Sequence, residues 1–420
     1  MTAMPIFAIV QQHAEESVSL RHRRCYLIGA ARVDLFQLNR LDQRLTAHLD
    51  GLAVAGGLGA QLAMDGLQSP GCGEAFTATV RALQDRHAGA IEKLIEVAQA
   101  KPELRTGLLS AFGWVSAASL RGITRGLLDS PNPFKRQVGL AACAMHRVDP
   151  GVAALAALHD DDAALRTRAL RVIAACGRVD LLPVCTHAMN DDDAACANAA
   201  MRAALLLGNR GAAMSGLRDR AALLDASGRR DTLSLLLKSL TPAQAQDLLK
   251  AWSNESTGVR VLTWAFGVTG DPQYVPWLIH QMQHPPLARL AGESFSTITG
   301  LDLAKRELER LPPEDVDTGP SDDPDNEDVS MDEDDGLPWP DLDKVAAWWQ
   351  ANGYRFTPGT RYFMGQPPSP AHCLSVLKNG FQRQRIAAAE YLTLMNPGTP
   401  LFNCAAPAWR QQRWLAAMGA

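Results

Sequence analysis

Three segments of the chain share one pattern: FKRQVGLAACAMHRVDP (134–150), LRTRALRVIAACGRVDL (165–181) and CANAAMRAALLLGNRGA (196–212). Leu140, Leu170 and Met201 occupy matching positions at offsets of 30 and 31 residues. The residue before each of them is glycine or alanine, which allows neighbouring helices to approach closely. The apolar residues follow helical spacing, and no strand-like alternation is present. The pattern therefore predicts one helix that recurs along the chain.

A polar turn opens each of these units: SPNP at 130–133, DDDA at 160–163 and NDDDA at 190–194. Aspartate side chains accept hydrogen bonds from the free N–H groups at the start of a helix and favour its positive end. We therefore predict that the aspartate turns cap helices. Metal binding by Asp160–Asp162 or Asp191–Asp193 is the alternative, but the glycine and distal glutamate of an EF-hand loop are absent.

The repeat continues in TGVRVLTWAFGVTGDPQYVPWLI (257–279) and LARLAGESFSTITGLDL (287–303), where Gly270 and Gly300 lie 30 residues apart. A single helix pair cannot bury its apolar stripe, whereas stacked pairs share a continuous core. We predict an all-α fold, an α-solenoid of HEAT-like helix pairs. The predicted parts are an N-terminal helical cap (1–102), the repeat solenoid (103–312), an acidic disordered linker (313–338) and a C-terminal helical HEAT-like unit (339–420).

The N-terminal cap contains one strongly periodic helix. Asp34–Asp50 places five leucines at helical spacing, with charged residues between them. A long helix is predicted next, over about Gly73–Ala100. Pro102 is suited to the first turn of the helix that follows.

Charge is distributed unevenly along the chain. Pro313–Asp335 holds twelve acidic residues and no Lys or Arg. The rest of the chain has 33 acidic and 41 basic residues, a formal charge of about +8. The acidic run favours disorder. It could be a solvating linker, an autoinhibitory mimic lying over a basic face, or a binding segment for a basic partner.

The sequence offers no catalytic or cofactor motif. It lacks a GKS/GKT phosphate loop, HExxH and GxSxG. Its eight cysteines form no CxxC pair, which favours reduced thiols over a zinc site. No secretory signal or membrane-spanning run is evident. We therefore expect a cytoplasmic protein that is not an enzyme and needs no cofactor or metal.

Arginines recur on the second helices of successive units, and two interpretations are open. They could pair with the neighbouring turn aspartates and support the stack, or they could line a basic groove that binds a partner. The candidate contact residues are five arginines and five acids of the linker: Arg136, Arg166, Arg168, Arg171, Arg202, Asp322, Asp323, Asp332, Glu333 and Asp334.

Several motifs together resemble an uncharacterised group of proteobacterial HEAT-like repeat proteins found near type VI secretion genes. The motifs are HAEES (13–17), LDQRLTAHLDGLAVAG (41–56), LLSAFGWV (108–115), NPFKRQVGLAACAMHRVDPG (132–151), LARLAGESFSTITGLDL (287–303), TRYFMGQP (360–367) and QRQRIAAAEYL (382–392). The resemblance covers nearly the whole chain apart from the acidic run. It implies a role in the bacterial cytosol, in handling or neutralising secreted toxins, and transfers no active site.

These observations predict a non-catalytic interaction protein of type VI secretion. Its partner would be a protein, namely a secreted toxin or effector, with a spike component as a further candidate. It would act either as an immunity protein or as an adaptor or chaperone. The alternative is a HEAT-like nucleic-acid binder or base-processing enzyme, although a charge of about +8 is small for a nucleic-acid groove. A repeat enzyme with an unrecognised site is the third hypothesis.

Overall fold

A computed structural model of the chain describes residues 5–220, 226–254, 258–314 and 332–419. Most of the predicted acidic linker, including Asp322 and Asp323, lies outside the described residues.

Within those ranges the ordered structure is almost entirely helical, which confirms the all-α prediction. The 22 α-helices are α1 (Phe7–Leu27), α2 (Leu35–Val54), α3 (Gly57–Asp65), α4 (Cys72–Gln84), α5 (Ala88–Ala100), α6 (Arg105–Trp114), α7 (Ile123–Leu128), α8 (Pro133–His146), α9 (Val152–Ala157), α10 (Ala163–Cys176), α11 (Leu182–His187), α12 (Ala194–Leu206), α13 (Ala212–Arg220), α14 (Ala226–Ser239), α15 (Pro242–Asn254), α16 (Val259–Thr269), α17 (Val275–Gln281), α18 (Pro285–Thr299), α19 (Leu342–Asn352), α20 (Pro370–Asn379), α21 (Gln382–Met395) and α22 (Ala408–Met418). Two short strands, β1 (Glu309–Arg310) and β2 (Trp339–Pro340), pair antiparallel.

The chain forms two compact units. Unit 1 contains residues 1–209 and 396–420, and unit 2 contains residues 210–395. The chain therefore leaves unit 1, builds unit 2 and then returns to unit 1. The boundaries predicted at 102, 312 and 338 stay predictions. In the described part of the chain, none of the helices combines the length and the apolar character that crossing a bilayer requires.

The N-terminal helices of unit 1 bury the predicted leucine stripe. All five leucines of the 34–50 segment are buried in α2. Asp34 and Gln37 form a capping box at its start, since each side chain bonds the backbone of the other. The prediction of this helix is confirmed.

The long helix predicted over Gly73–Ala100 is wrong. The chain breaks between α4 and α5, where Arg86 adopts a left-handed conformation with φ of 53°. The His87 side chain then caps α5 by accepting the N–H of Ala90 at 3.0 Å. The break allows α4 and α5 to pack against each other. Tertiary packing here outweighs a continuous helical pattern that contains no glycine or proline at the break.

The repeated segments form α8, α10 and α12, which begin at the predicted turns. Asn132, Asp162 and Asp193 are the N-caps, and each accepts a backbone N–H at 2.7–2.8 Å. α10 packs against both α8 and α12. The matched small residues Ala169 and Ala200 are fully buried. The prediction that the aspartate turns cap helices is therefore confirmed.

A buried ion pair holds the C-terminal segment in unit 1. Arg24 in α1 and Asp42 in α2 lie 2.7 Å apart and are 5% and 1% exposed. Arg24 also donates to the carbonyls of Ala405 and Ala406 at 3.0 Å. Asp42 accepts the N–H of Ala408 at 2.7 Å. These bonds satisfy both charges without water.

In unit 2, two glycines end helices and receive a loop. Gly270 and Gly300 close α16 and α18, each with φ of +73°. The N–H of Tyr362 donates to the Gly270 carbonyl at 2.8 Å. A Cβ at Gly270 would overlap the carbonyl oxygen of Tyr362, and one at Gly300 would overlap the backbone of Met364. The 30-residue spacing of these glycines thus reflects two equivalent helix ends with no room for a side chain.

Candidate functional site

Two of the five predicted arginines of unit 1 form ion pairs with turn aspartates. Arg136 donates to Asp160 at 2.7 Å. Arg166 binds both carboxylate oxygens of Asp191 at 2.8 Å and also donates to the carbonyl of Asp160 at 2.9 Å. Each arginine thus contacts the turn that opens the next unit. For these two residues the structure shows the pairing with turn aspartates that the first interpretation predicts.

Several hydrogen-bond donors converge on the turn aspartates and stabilise their ionised carboxylates. The N–H of Asp162, then the Arg136 guanidinium, lowers the pKa of Asp160. Asp191 has a lowered pKa chiefly because Arg166 donates to it. These turns therefore combine helix capping with charge pairing.

The contacts of Arg168, Arg171 and Arg202 do not test the hypothesis of a basic groove that binds a partner. Burial, followed by the nearby charge of Arg171, lowers the pKa of Arg168. Arg168 is half-buried and makes no hydrogen bond or ion pair among the described residues. Arg171 is exposed and Arg202 is half-buried. A basic groove at these positions stays a prediction.

We expect Asp191→Asn to lower the free energy of unfolding of unit 1 by about 1 kcal/mol at pH 7, because a charge-assisted pair with Arg166 is lost. The folded state depresses the pKa of Asp191. Its contribution is therefore complete above the unfolded pKa of about 3.9 and is lost as the pH falls through the lower, folded pKa.

The difference between wild type and Asp191→Asn should accordingly shrink progressively in urea denaturation as the pH falls from about 5 to below the folded pKa of Asp191. Asp180→Asn is the matched control. Asp180 also pairs with an arginine, but its side chain is 59% exposed, so the solvent screens it. An equal loss in both variants would contradict a contribution specific to the turn.

Unit 2 contains a second group of arginines. Arg230 in α14, Arg260 in α16 and Arg289 in α18 lie 30 and 29 residues apart, and Arg383 lies in α21. We call these four residues the arginine cluster. We call Asp332, Glu333 and Asp334 the acidic segment, which is the described end of the predicted linker.

The acidic segment is bound to the arginine cluster. Arg260 donates hydrogen bonds of 2.6 and 3.0 Å to the two carboxylate oxygens of Asp334. It also donates to the Glu333 carboxylate at 3.2 Å. Arg289 forms an ion pair with Asp332 and donates to the carbonyl of Asp334 at 3.2 Å. Asp334 is 4% exposed and Arg289 is 7% exposed. The Asp334 carboxylate and the Arg289 guanidinium are therefore largely shielded from water, whereas Glu333 pairs with Arg260 at the surface.

The remaining two arginines of the cluster, Arg383 and Arg230, differ in their contacts. Arg383 binds both carboxylate oxygens of Glu293 at 2.9 and 3.0 Å and donates to the carbonyl of Glu333 at 3.1 Å. Arg230 is half-buried, and its guanidinium lies 5.4 Å from the ring centroid of Trp264. Burial lowers the pKa of Arg230. It forms no hydrogen bond or ion pair with the described residues, although the charges of Glu293 and Glu333 act on it.

Trp339 fixes the orientation of Arg289. Its ring centroid lies 4.8 Å from the guanidinium carbon. A guanidinium stacked on an aromatic face keeps its edge N–H groups directed outward, toward acceptors in its plane. The ring therefore presents Arg289 to the carboxylate of Asp332 and to the backbone of the acidic segment.

Sequence reasoning found the three acids but missed the arginines that bind them. The recurrence of Arg230, Arg260 and Arg289 at the repeat spacing was an available signal. It indicates equivalent positions on successive helices, where stacked side chains meet.

The described residues contain no group of three or more His, Cys, Asp or Glu that could hold a metal ion. An open cleft in unit 2, of about 460 Å³, is lined by Trp348, Arg306 and Arg355 among others, and its lining includes no carboxylate or histidine. This cleft therefore lacks the acid–base pair that hydrolysis or proton transfer needs.

No protein-family model matches the chain, and no curated protein or solved structure matches it either.

Proposed function

We propose that the chain is a HEAT-like protein-interaction scaffold of type VI secretion, without catalytic activity, that binds an acidic segment of a toxin or effector at the arginine cluster. The observation that carries this proposal is the acidic segment itself. Asp332 and Asp334 already occupy Arg289 and Arg260 as closely spaced peptide carboxylates. The cluster thus has the geometry for acidic peptide.

The chemistry favours a peptide with carboxylates two residues apart. Arginine recognises a carboxylate through two parallel N–H donors, as Arg260 does with Asp334. Arg289 additionally binds a backbone carbonyl of the acidic segment. A ligand would therefore be recognised through its backbone as well as its charge.

The acidic segment acts as an internal competitor in this proposal. While Asp332–Asp334 is bound, the cluster is open to a partner for only a fraction of the time, and the apparent affinity falls by that fraction. This is the autoinhibitory alternative for the linker. A partner with more carboxylates could also engage Arg230.

Repetition along the chain supports the scaffold part of the proposal. Pairs from one unit to the next, Arg136 to Asp160 and Arg166 to Asp191, join neighbouring repeats in unit 1. In a HEAT-like stack such links would keep successive helices in register and present a long surface for docking.

The type VI context is taken from the sequence resemblance. Two roles are compatible with it. An immunity protein would form a tight stoichiometric complex that abolishes toxicity in the cytosol. An adaptor would release its cargo and bind the secretion spike. Co-expression of the chain with candidate toxins, followed by growth and spike-binding assays, distinguishes these roles.

The binding site is tested with a fluorescein-labelled Asp-Glu-Asp-Asp peptide and the full chain. We expect the variant Asp332→Asn/Glu333→Gln/Asp334→Asn to bind at least about tenfold more tightly than wild type in fluorescence anisotropy. Adding Arg260→Ala and Arg289→Ala should abolish this binding. Arg355→Ala is the matched control, because Arg355 is an exposed arginine of unit 2 outside the cluster, and it should have no effect.

Two outcomes would contradict the proposal. Equal affinity of wild type and the neutralised variant would show that the acidic segment does not compete. Binding of a DNA duplex with a steep salt dependence, in preference to the peptide, would favour the nucleic-acid alternative.

A further inference from the structure

Arg21 in α1 is a buried cation with an unusual set of acceptors. It is 4% exposed. Its Nε and Nη2 donate to Ser110 Oγ at 3.3 and 2.8 Å, and its Nη1 donates to Cys25 Sγ at 2.7 Å. The guanidinium lies over the ring of Phe76 at 5.1 Å. Among the described residues, no carboxylate is bonded to it.

A buried guanidinium without a counter-ion is costly, because its charge has left water and gains no opposite charge in return. Ser110 cannot supply that charge, since its hydroxyl remains neutral. Cys25 is the one ionisable group among the acceptors. Charge compensation therefore favours the thiolate form of Cys25, and Arg21 is the cation that stabilises it.

A second thiol lies beside this thiolate. Cys72 is the first residue of α4 and is half-buried. A hydrogen bond with Cys72, and then Arg21, lowers the pKa of Cys25 against the opposing effect of burial. The same hydrogen bond, together with burial, raises the pKa of Cys72. The two shifts have opposite directions, so ionisation is favoured at Cys25 and disfavoured at Cys72.

Close packing of α1 on α4 places Cys72, the first residue of α4, beside the part of α1 that carries Cys25. The N–H of Gly73 donates to His22 Nε2 at 3.3 Å. A Cβ at Gly73 would lie 2.8 Å from the Val18 carbonyl oxygen and 2.9 Å from the His22 ring. Glycine after Cys72 therefore allows the start of α4 to approach the turn of α1 that precedes Cys25.

We propose that Cys25 and Cys72 are a peroxide-sensitive thiol pair, which closes to a disulfide that joins α1 to α4. Cys25 is exposed to solvent, so hydrogen peroxide can reach it. A solvent-accessible thiolate with a second thiol beside it is the arrangement of redox-sensing cysteines. The chain then carries a modification site in unit 1, separate from the arginine cluster of unit 2.

The reaction proceeds in two steps. The Cys25 thiolate attacks one oxygen of hydrogen peroxide, so an S–O bond forms, the O–O bond breaks and hydroxide leaves. The Cys72 thiol then attacks the sulfur of the Cys25 sulfenic acid. The S–S bond forms, the S–O bond breaks, and the departing hydroxyl takes the Cys72 proton as water. Two electrons pass from the sulfurs to peroxide, and an external thiol can reverse the change.

Cys176 provides an internal reference. It is half-buried like Cys72, but burial and Asp149 raise its pKa, and Arg178 only partly opposes them. A thiol of this kind reacts slowly because little thiolate is present. The structure thus predicts a clear order of reactivity within one chain.

The test uses the full chain treated with hydrogen peroxide and then mapped by mass spectrometry without reduction. We expect a Cys25–Cys72 disulfide, with a mass loss of about 2 Da. Cys25 should be oxidised at least about tenfold faster than Cys176. In Cys72→Ser, sulfenic acid should accumulate at Cys25 and be trapped by dimedone. Cys176→Ser should change none of these results.

Arg21→Gln should slow the oxidation of Cys25, provided that circular dichroism shows a folded chain. The ratio of the oxidation rates of Cys25 and Cys176 is measured in the wild-type chain, so it tests the proposal even if Arg21→Gln does not fold. Equal oxidation rates at Cys25 and Cys176 would overturn the thiolate assignment. Oxidation of Cys25 without any linkage to Cys72 would overturn the disulfide.

Discussion

Asp42→Ala is expected to lower the free energy of unfolding of unit 1 by about 3–5 kcal/mol, the cost of leaving a buried charge without its partner. Arg24 is 5% exposed and Asp42 is 1% exposed, so water cannot replace the missing carboxylate. The N–H of Ala408 loses its acceptor as well. The measurement is urea denaturation of the full chain followed by tryptophan fluorescence and circular dichroism.

Two variants accompany this prediction. Asp50→Ala removes an exposed aspartate from the same helix and should change the free energy of unfolding by less than about 0.5 kcal/mol. Arg24→Met combined with Asp42→Leu should recover most of the loss, because no unpaired charge remains. A loss for Asp42→Ala as small as that for Asp50→Ala would show that the ion pair does not stabilise unit 1.

Gly270→Ala is expected to lower the free energy of unfolding of unit 2 by about 2–4 kcal/mol. A side chain at φ of +73° is strained, and its Cβ would overlap the Tyr362 carbonyl oxygen. The loop would have to move and lose the hydrogen bond from the Tyr362 N–H to the Gly270 carbonyl. Chemical denaturation again provides the measurement.

Gly258→Ala is the matched control for this substitution. Gly258 precedes α16 at its other end, and a Cβ there would meet nothing within 4 Å. We expect little change in stability for Gly258→Ala. Similar losses in both variants would show that glycine content, and not the approach of the Tyr362 loop, determines the effect.

Local signals predicted the helices of the repeats well. The aspartate turns and the apolar spacing placed the starts of α10 and α12 correctly, because caps and periodicity depend on neighbouring residues alone. The break at Arg86 was not predictable in this way. It serves the packing of α4 on α5, and residues 85–87, where the helix breaks, include no glycine or proline to signal it.

The candidate site was predicted in part for a similar reason. Composition singled out the acidic residues, including Asp332 and Asp334, as candidate contacts for a partner, and that role stays a prediction. Their partners Arg260 and Arg289 are more than 40 positions away along the chain, and only the tertiary structure brings them together. In unit 1, Arg136 and Arg166 pair with aspartates in turns that lie 24 and 25 residues later in the chain. Their spacing suggested this pairing.

The return of the C-terminal segment to unit 1 sets an order of maturation during synthesis. Asp42 accepts its hydrogen bond from Ala408, which is 366 positions later. At about 5–20 residues per second, a ribosome needs roughly 20–70 s to cover that distance. The middle of the chain, residues 210–395, has emerged in full before the N-terminal helices receive their last partner. Helices α1 and α2 are therefore among the last to reach their final state although they are translated before unit 2, and a nascent chain stalled before Ala408 would hold an incomplete unit 1.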